Sequence, residues 1–503
     1  MEAINTSGKF SRTRIPGGEP MKAINMSRRR LVQALPAGLA APALAAPAGS
    51  GRPNILFILV DDMDYGIFQQ MPRVKQLITQ RGVEFQNHFV SLSICCASRA
   101  TILRGQFGHN HGVRDNGPPA GGFERFYLRG LESSTVGVWL QSAGYRTALI
   151  GKYLNNYPHK APGPNHIPQG WDTWLVPNGG DEYRQLNYTV NDNGQTVAYG
   201  NAPEDHFHDL LTQRANSFLR AAAADPPSRP FFLYLSPYLP HGPSLAPERY
   251  LKLFRGLPLP RPPSFNEADV SDKPRWLQRL PLLDDTVIRR IQGFYRRQRQ
   301  AAQAIDDTVQ SVLNTLEATG QLDNTYIVFS SDNGYFHGEH RIPGDKRRAY
   351  EESIRVPLLI RGPGIPAGRT VSQLSCNVDL APTFAAMAGV TPPAFVDGRS
   401  LVPLFSGTPP TRWRQSLLLE SQTPEANSIY QSYVGLRTVS GKSFVLWDYG
   451  FGEYYDLRTD PYQLDNQYPT MPTALKSALA TQLRSLENAG GAALRKAEEV
   501  VAG

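Results

Sequence analysis

A short run around Cys95 carries residue types that suit a nucleophilic or anion-binding site. It reads SLSICCASRATILRG, with Ser98 three positions and Arg99 four positions after Cys95. The residues ATILRG predict the opening turns of a helix. At a helix start, unpaired backbone N–H groups and the helix dipole favour an anion, so the spacing places a nucleophile beside an anion site. The alternative is structural, since buried cysteines are usually small hydrophobes.

Two apolar runs of the chain end in acidic or amide side chains. PNILFILVDDMDYG ends its apolar stretch at Asp61 and Asp62, and TYIVFSSDNGYFHGEH ends its own at Asp332 and Asn333. Such runs are typical of buried parallel strands, and open α/β sheets bind ligands at the carboxyl ends of their strands. The pattern favours one site where both strand ends converge. Taken singly, each pair is equally typical of a turn or a cap.

The run around Cys95 resembles the first signature of the sulfatase family, C-x-P-S-R-x-x-x-L-x-G. The positions that match are Cys95, Ser98, Arg99, Leu103 and Gly105, and Ala97 stands where most members have proline. The resemblance implies that Cys95 is oxidised to formylglycine. One hydroxyl of the hydrated aldehyde would attack sulfur, and loss of the proton from the other would then release sulfate. A plain serine or cysteine would instead be left as a second ester that water must hydrolyse.

A second stretch, GYRTALIGKYL from Gly144 to Leu154, resembles the second sulfatase signature and places Lys152 just after a predicted strand. GKYLN, CCASR and GHNHGV resemble the branch that contains N-acetylglucosamine-6-sulfatases. Leu154 stands where many members have histidine, so a proton donor must come from elsewhere. His109 and His111, in GHNHGV, either border a sugar pocket or cap a helix.

The resemblance implies a complete set of catalytic and metal-binding residues. The catalytic residues are Cys95, Arg99, Lys152, His241 and Lys346. The metal ligands are Asp61, Asp62, Asp332, Asn333 and Cys95. Carboxylate and amide oxygens suit Ca²⁺, with Mg²⁺ as the alternative, and disfavour zinc. The cation would act as a Lewis acid on a sulfate oxygen and lower the pKa of the formylglycine hydroxyl.

Each implied catalytic side chain has an expected role. Arg99 orients the nucleophile, and Lys152 directs a positive charge at the sulfate or the leaving oxygen. His241, after the apolar run FFLYLSPYLP, contacts the sulfate or protonates the departing alkoxide. Lys346, ahead of YEESIRVP, bonds a sulfate oxygen and is the alternative to His241 as the proton donor. The structural alternatives are a loop histidine for His241 and a basic surface cluster around Lys346.

The chain predicts an α/β fold with two domains. Over residues 53–400, apolar strands alternate with helical stretches, which indicates a large mixed, mostly parallel sheet flanked by helices. The resemblance implies that this catalytic domain is alkaline-phosphatase-like. Over residues 401–503, short strand-like runs and a helix from about Pro472 predict a smaller α+β domain with an antiparallel sheet.

Residues 1–45 predict a bacterial export signal of the twin-arginine type, which implies a periplasmic or secreted protein. The stretch has three consecutive arginines, an Ala-rich segment and a cleavage site such as Ala43-Leu44-Ala45, and Met21 is an alternative start. It is too short and too broken by proline to span a membrane. It carries seven Lys or Arg and two Glu, so the chain's net charge of +8 falls to +3 without it.

The motifs and the cysteine content argue against a nucleic-acid partner and against a disulfide-rich fold. Nothing resembles a nucleic-acid module, and three cysteines, two of them adjacent, do not form a disulfide framework. The sequence predicts a sulfatase that hydrolyses sugar or aryl sulfate monoesters after a formylglycine-generating enzyme has matured it. One alternative is a phosphonate or phosphate mono- or diester hydrolase of the same superfamily. Another is an inactive protein that binds sulfated glycans through an unmodified Cys95.

Overall fold

A computed structural model describes residues 51–226, 229–407, 410–422 and 432–501. The predicted export signal over residues 1–45 lies outside the described residues. None of the helices within the described ranges is long and apolar enough to cross a membrane.

The strands of the described residues form three sheets. They are β1 (Asn54–Val60), β2 (Val83–Phe85), β3 (His88–Phe89), β4 (Arg146–Gly151), β5 (Thr173–Gly180), β6 (Tyr188–Asp192), β7 (Gln195–Tyr199), β8 (Phe231–Ser236), β9 (Thr325–Ser331), β10 (Leu358–Arg361), β11 (Arg369–Val371), β12 (Ser375–Cys376), β13 (Ser416–Ser421), β14 (Tyr433–Thr438), β15 (Lys442–Trp447) and β16 (Gly452–Asp456).

Helices surround these sheets. They are α1 (Tyr65–Phe68), α2 (Pro72–Leu77), α3 (Cys95–Arg104), α4 (Gly108–His111), α5 (Gly122–Leu128), α6 (Val136–Ser142), α7 (Phe207–Ala223), α8 (Arg275–Gln278), α9 (Asp285–Ala318), α10 (Glu351–Ile354), α11 (Leu380–Met387), α12 (Thr473–Glu487) and α13 (Gly491–Ala497).

The main sheet has ten strands in the order β11-β2-β10-β9-β1-β8-β4-β5-β6-β7. Its centre, from β9 through β1, β8 and β4 to β5, is parallel, and antiparallel pairs occur towards both edges. The predicted mixed, mostly parallel sheet is therefore confirmed. Because β9, β1, β8 and β4 run in the same direction, the residues that follow them lie at one edge of the sheet.

Both faces of the main sheet are covered by helices. Alternate β1 side chains point to opposite faces. Ile55, Phe57 and Leu59 pack in one hydrophobic cluster with residues of α3, α6 and α11. Leu56, Ile58 and Val60 pack in a second cluster with residues of α2, α7 and α9. This double burial explains why β1 is apolar without interruption.

The C-terminal part contains the predicted antiparallel sheet. Strands β13 to β16 pair in sequence order, and a hydrophobic cluster joins them to α12 through residues such as Leu417, Leu479 and Leu483. The same cluster includes Phe107 and Tyr350 from the part of the chain that carries the main sheet. The division into two domains at residue 400 stays a prediction.

A buried ion pair ties the segment before β13 to the segment before α11. Both Arg414 guanidinium Nη atoms donate to the Asp379 carboxylate, at 2.6 and 2.8 Å, and Nε lies 2.9 Å from a Glu498 oxygen. All three side chains are fully buried. Charges held this way are costly to separate from their partners.

Replacing Arg414 with methionine should lower the free energy of unfolding by about 3 to 5 kcal/mol, because Asp379 would stay buried without its bidentate partner. Arg458→Met is the matched control, since the Arg458–Asp456 pair is largely exposed at the arginine and should contribute far less to stability. Urea denaturation of both variants measures the difference. Equal, small losses would contradict the role assigned to Arg414.

Candidate active site

Cys95 is the first residue of α3 and lies beside two carboxylates. Its Sγ is 3.6 Å from Asp61 Oδ1 and 3.7 Å from Asp62 Oδ1, and the side chain is fully buried. Burial raises the pKa of the Cys95 thiol, so the unmodified side chain stays protonated at neutral pH. Cys96, one position on, instead packs in the hydrophobic cluster under the sheet. The two cysteines therefore face different environments.

Three strand ends bring the charged groups to Cys95. Asp61 and Asp62 follow β1, Asp332 follows β9, and Lys152 follows β4. Asp62 has a φ of +60°, and its backbone N–H donates to Asp332 Oδ1 at 3.1 Å. The neighbouring strands β1 and β9 are thus joined at the site itself.

The position before Lys152 requires glycine, which is Gly151. Its φ is +118°, and a Cβ built on it would lie 2.0 Å from the Ser236 carbonyl oxygen of the neighbouring strand. Only glycine fits this approach without strain. The close contact fixes where the chain leaves β4 and hence where the Lys152 side chain begins.

Each lysine of the predicted site contacts one aspartate. Lys152 Nζ lies 2.6 Å from Asp61 Oδ2, and Lys346 Nζ lies 2.6 Å from both oxygens of Asp62. Both lysines are at least nine-tenths buried. The basic surface cluster proposed as the alternative for Lys346 is therefore wrong.

Arg99 is buried behind the carboxylates. Its Nε donates to Asp332 Oδ2 at 2.8 Å, and its Nη1 donates to the Lys152 carbonyl oxygen at 3.0 Å and to Ser236 Oγ at 2.7 Å. The guanidinium thus connects α3 with the ends of β4, β8 and β9. This arrangement holds the helix that carries Cys95 in a fixed position.

Opposing effects set the pKa values of the aspartates. Burial raises the pKa of Asp62, but His241 and Lys346 outweigh it and the net change is a lowering. Burial also raises the pKa of Asp61, but the charge of Lys152 helps to outweigh this effect, and the net change is again a lowering. The pKa of Asp332 is raised, by burial and by the charge of Asp61. Asp61 and Asp62 therefore remain carboxylates at neutral pH.

His241 is the most exposed of the predicted catalytic residues. Its side chain is 24% exposed, and its Nε2 lies 3.4 Å from Asp62 Oδ2. Nδ1 lies 2.7 Å from the Gly242 carbonyl oxygen, so Nδ1 carries a proton and donates it there. The ring of Tyr183 lies 4.6 Å from the imidazole. His241 thus marks the side from which solvent reaches the site.

The donors around Cys95 form a group that could hold a metal ion. Ligand atoms of Asp61, Asp62, Cys95 and His241 lie within 4.8 Å of one another. Asn333 Oδ1 is buried without a hydrogen-bond partner, while its Nδ2 donates to Asp62 Oδ1 at 2.6 Å. An orphaned buried acceptor beside two carboxylates fits a hard cation. Three of the five predicted ligands, Asp61, Asp62 and Cys95, lie in this donor group, and Asn333 contacts Asp62 beside it.

Asp332 differs from the other predicted ligands. Its Oδ1 accepts from the Asp62 backbone and its Oδ2 accepts from Arg99. It lies outside the four-residue donor group. Direct coordination by Asp332 stays a prediction, whereas its contact with Arg99 is observed.

Several residues at the site were not expected from the sequence. Asn116 Oδ1 accepts from the Cys96 backbone N–H at 2.8 Å and so caps α3 from a separate loop. Asn377 donates to Ser98 Oγ at 2.9 Å. Tyr183 and Tyr238 lie over the Lys152 ammonium, at 5.2 and 5.6 Å from the ring centroids. Isolated loop residues of this kind leave no periodic signal in the sequence.

The histidines of GHNHGV make internal contacts. His109 Nδ1 lies 3.1 Å from Glu420 Oε2, and its Nε2 lies 3.0 Å from the Ala489 carbonyl oxygen. His111 is fully buried, with Nε2 3.0 Å from Thr101 Oγ1. Both rings tie α4 to neighbouring elements, which favours the structural alternative over a pocket border.

Comparison with protein families decides the classification. The sequence profile described as Sulfatase matches residues 53–390. The chain belongs to the sulfatase family. The predicted family and the predicted enzyme class, a sulfatase, are therefore confirmed. A second profile, described as N-sulphoglucosamine sulphohydrolase, C-terminal, matches residues 338–489.

Individual sulfatases match over most of the chain. The N-acetylglucosamine-6-sulfatase of Homo sapiens is 32% identical over 489 residues, which cover 89% of this chain and 87% of the human protein. The putative extracellular sulfatase Sulf-1 homolog of Caenorhabditis elegans is 37% identical over 395 residues, covering 76% of this chain. This sulfatase chain spans about half the length of the nematode protein, 54%.

Solved structures confirm the predicted alkaline-phosphatase-like sulfatase fold. The structure of BT4656 in complex with its substrate D-glucosamine-2-N,6-O-disulfate has a TM-score of 0.72 and 27% identity, covering 86% of this chain and 97% of that one. The phosphonate monoester hydrolase of Agrobacterium radiobacter has a TM-score of 0.68 and 21% identity, covering 87% and 96%. The second likeness shows the fold alone.

Proposed function

We propose that this sulfatase hydrolyses sulfate monoesters of sugars to an alcohol and inorganic sulfate, through a formylglycine made from Cys95. The observation that carries the proposal is the position of Cys95. It begins a helix, lies within 3.7 Å of two carboxylates, and is surrounded by side chains that match the family pattern. The unmodified thiol is a poor nucleophile here, because burial raises its pKa.

The donor set fits a divalent cation, with Ca²⁺ proposed and Mg²⁺ as the alternative. Asp61, Asp62 and Asn333 would hold it with oxygen atoms, Cys95 would complete the site after conversion, and Asp332 is the remaining proposed ligand. When bound, the cation supplies Lewis acidity at a sulfate oxygen. Formylglycine supplies a hydrated aldehyde as the nucleophile.

The charges of the site explain why an anionic substrate needs such a cation. Lys152, Lys346 and Arg99 provide three positive charges, and each contacts a carboxylate of Asp61, Asp62 or Asp332. The protein charges therefore balance before substrate binds. The proposed cation would supply the additional positive charge that a sulfate group needs, and Lys152 and Lys346 are proposed to bond the sulfate oxygens.

His241 is proposed as the proton donor to the departing alkoxide. Its Nδ1 proton is held by the Gly242 carbonyl oxygen, so Nε2 is the nitrogen that exchanges a proton at the site. Asp62 Oδ2 lies 3.4 Å from Nε2, so this nitrogen faces the carboxylates of the site. The partial exposure of His241 supports a position on the side from which the alcohol half of the substrate would leave.

The names of similar proteins support a sugar sulfate as substrate. The human relative is an N-acetylglucosamine-6-sulfatase, and the BT4656 structure contains a glucosamine disulfate. We propose a 6-sulfated glucosamine as the first substrate to assay. Maturation of the protein would require a formylglycine-generating enzyme that accepts Ala97 in place of proline. Residues 1–45 are proposed to direct twin-arginine export to the periplasm or beyond.

Replacing His241 with asparagine tests the proton-donor role by comparing leaving groups. For a sugar sulfate, kcat/KM should fall by about 10²- to 10⁴-fold, because the alkoxide needs a proton. For nitrophenyl sulfate, whose leaving group needs none, the loss should be much smaller. Initial rates of sulfate release from both substrates, by His241→Asn and by the wild type, measure this difference.

The matched control for His241→Asn is His159→Asn, since His159 is similarly exposed but pairs with Glu124 and not with an aspartate of the candidate site. It should leave both rates unchanged. Equal losses on both substrates in His241→Asn would remove the proton-donor role. A wild-type preference for phosphonates or phosphate diesters over every sulfate tested would assign the chain to the alternative hydrolase class.

A further inference from the structure

A row of arginines lies on one exposed face of α9. Arg289, Arg290, Arg296 and Arg297 occur in the run VIRRIQGFYRRQRQ, and the first three are exposed. At 3.6 residues per turn, the four side chains fall within about 120° of the helix circumference. Arg289 and Arg296 are separated by about 10 Å along the axis. The opposite face of α9, which includes Ile291 and Tyr295, packs in the hydrophobic cluster.

A loop that packs against α9 extends this row. Gln300 donates to the carbonyl oxygens of Leu251 and Leu253, each at 2.9 Å, and Gln292 donates to that of Leu257 at 3.2 Å. Two exposed basic residues, Lys252 and Arg255, belong to this loop. We call the six residues Arg289, Arg290, Arg296, Arg297, Lys252 and Arg255 the α9 basic surface.

The positive charge of this surface is not neutralised by the protein. Within the described ranges, no carboxylate lies within ion-pair distance of Arg289, Arg290 or Arg296, whereas the nearby Arg249 pairs with Asp209 at 2.5 Å. The acidic residues at the start of α9 are Asp284, which caps the helix, and Asp285. The pKa of Arg297 is lowered by burial and by the charge of Arg296. Such repulsion favours a bound anion.

The α9 basic surface reaches the loop that carries His241. Arg297 Nε donates to the Pro243 carbonyl oxygen at 3.0 Å. A Cβ built on Gly242 would lie 3.5 Å from the Phe294 ring, so this ring also contacts the loop. An anion bound along α9 would therefore lie next to the open side of the active site.

We propose that the α9 basic surface binds a sulfated polysaccharide, contacting further sulfate groups of the chain whose target sulfate lies at Cys95. The inference rests on the proposed function for its substrate. Positive charges spread over about 10 Å of helix match a polymer with repeated anionic groups, whereas a single monosaccharide sulfate reaches only the active site. The polymer is thus held by charges that take no part in the chemistry.

The test compares two triple variants with the same change in charge. Arg289→Gln, Arg290→Gln and Arg296→Gln are combined in the first, and Arg297 is kept because it holds the loop beside His241. The control combines Arg220→Gln, Arg412→Gln and Arg484→Gln, which alter exposed arginines on other elements. Binding to immobilised heparin and the kinetics of sulfate release are measured for both variants.

The α9 variant should elute from heparin at lower salt than the wild type, and the control variant should elute with the wild type. At low salt, KM for a sulfated polysaccharide should rise about tenfold in the α9 variant, with kcat unchanged, because exposed charges act on association. High salt should remove the difference by screening. Turnover of nitrophenyl sulfate should be unchanged in both.

Unchanged heparin elution of the α9 variant, or an equal shift in the control, would overturn the proposal. So would a loss of DNA binding in the α9 variant with heparin elution unchanged, which would assign the surface to nucleic acid. If the wild type releases sulfate from no ester, the proposed function fails. Heparin elution still decides the binding surface in that case.

Discussion

Replacing Cys95 with alanine should reduce kcat/KM for sulfate esters by about 10⁴-fold or more, because it removes the group that becomes the nucleophile. Cys96→Ala should keep most of the activity, since Cys96 packs in the hydrophobic cluster and not against Asp61 and Asp62. It should cost about 1 kcal/mol of stability from the lost packing. Initial rates of sulfate release and thermal unfolding of both variants distinguish these effects.

The two cysteines control for each other, because they are adjacent and both fully buried. Both variants must be purified from a host whose maturation enzyme converts the wild-type chain. An inactive Cys96→Ala beside an active Cys95→Ala would refute the assignment of the nucleophile. Retention of activity in Cys95→Ala alone would refute the formylglycine mechanism.

Asp62→Asn should lower kcat/KM by about 10³-fold, because it removes a negative charge that several side chains of the site contact and that is proposed to bind the cation. The Asp62 carboxylate contacts Lys346, Asn333 and His241, and it would also bind the proposed cation. The variant should also require more Ca²⁺ for half-maximal activity than the wild type. Rates measured after chelation and titration with Ca²⁺ or Mg²⁺ give both quantities.

Asp306→Asn is the control for the loss of a buried carboxylate. Asp306 accepts hydrogen bonds from the backbone N–H groups of Arg73 and Val74, which belong to α2 and not to the residues around Cys95. Its replacement should affect stability and leave the Ca²⁺ requirement unchanged. Asp62→Asn activity within tenfold of wild type, or rescue of chelated enzyme by zinc only, would contradict the oxygen-ligand site.

The convergence of charged residues could be predicted because it depends on strand direction. Asp61 and Asp332 each end an apolar run, and parallel neighbours in a sheet bring such ends together. The structure pairs β1 with β9 and places these residues in contact through the backbone of Asp62. Lys152 follows the same rule, since β4 is another strand of the parallel centre.

Other features could not be predicted, because their contacts join distant loops. Asn116 caps α3 and Tyr183 covers Lys152, yet each lies in a segment without apolar periodicity. The N-terminal extent of α9, which begins at Asp285 and continues through Gly293, is another such feature. Gly293 weakens the helical pattern there, and the Asp284 cap with packing of Ile291 overrides it.

Mass spectrometry of the peptide that contains Cys95, from protein made in its native host, determines whether Cys95 is converted to formylglycine. The formylglycine mechanism predicts a peptide in which the Cys95 sulfur is replaced by an aldehyde oxygen, in a fraction that follows the specific activity across preparations. Cys96 in the same peptide should remain a thiol. Full sulfatase activity in protein whose Cys95 is entirely unmodified would contradict this mechanism.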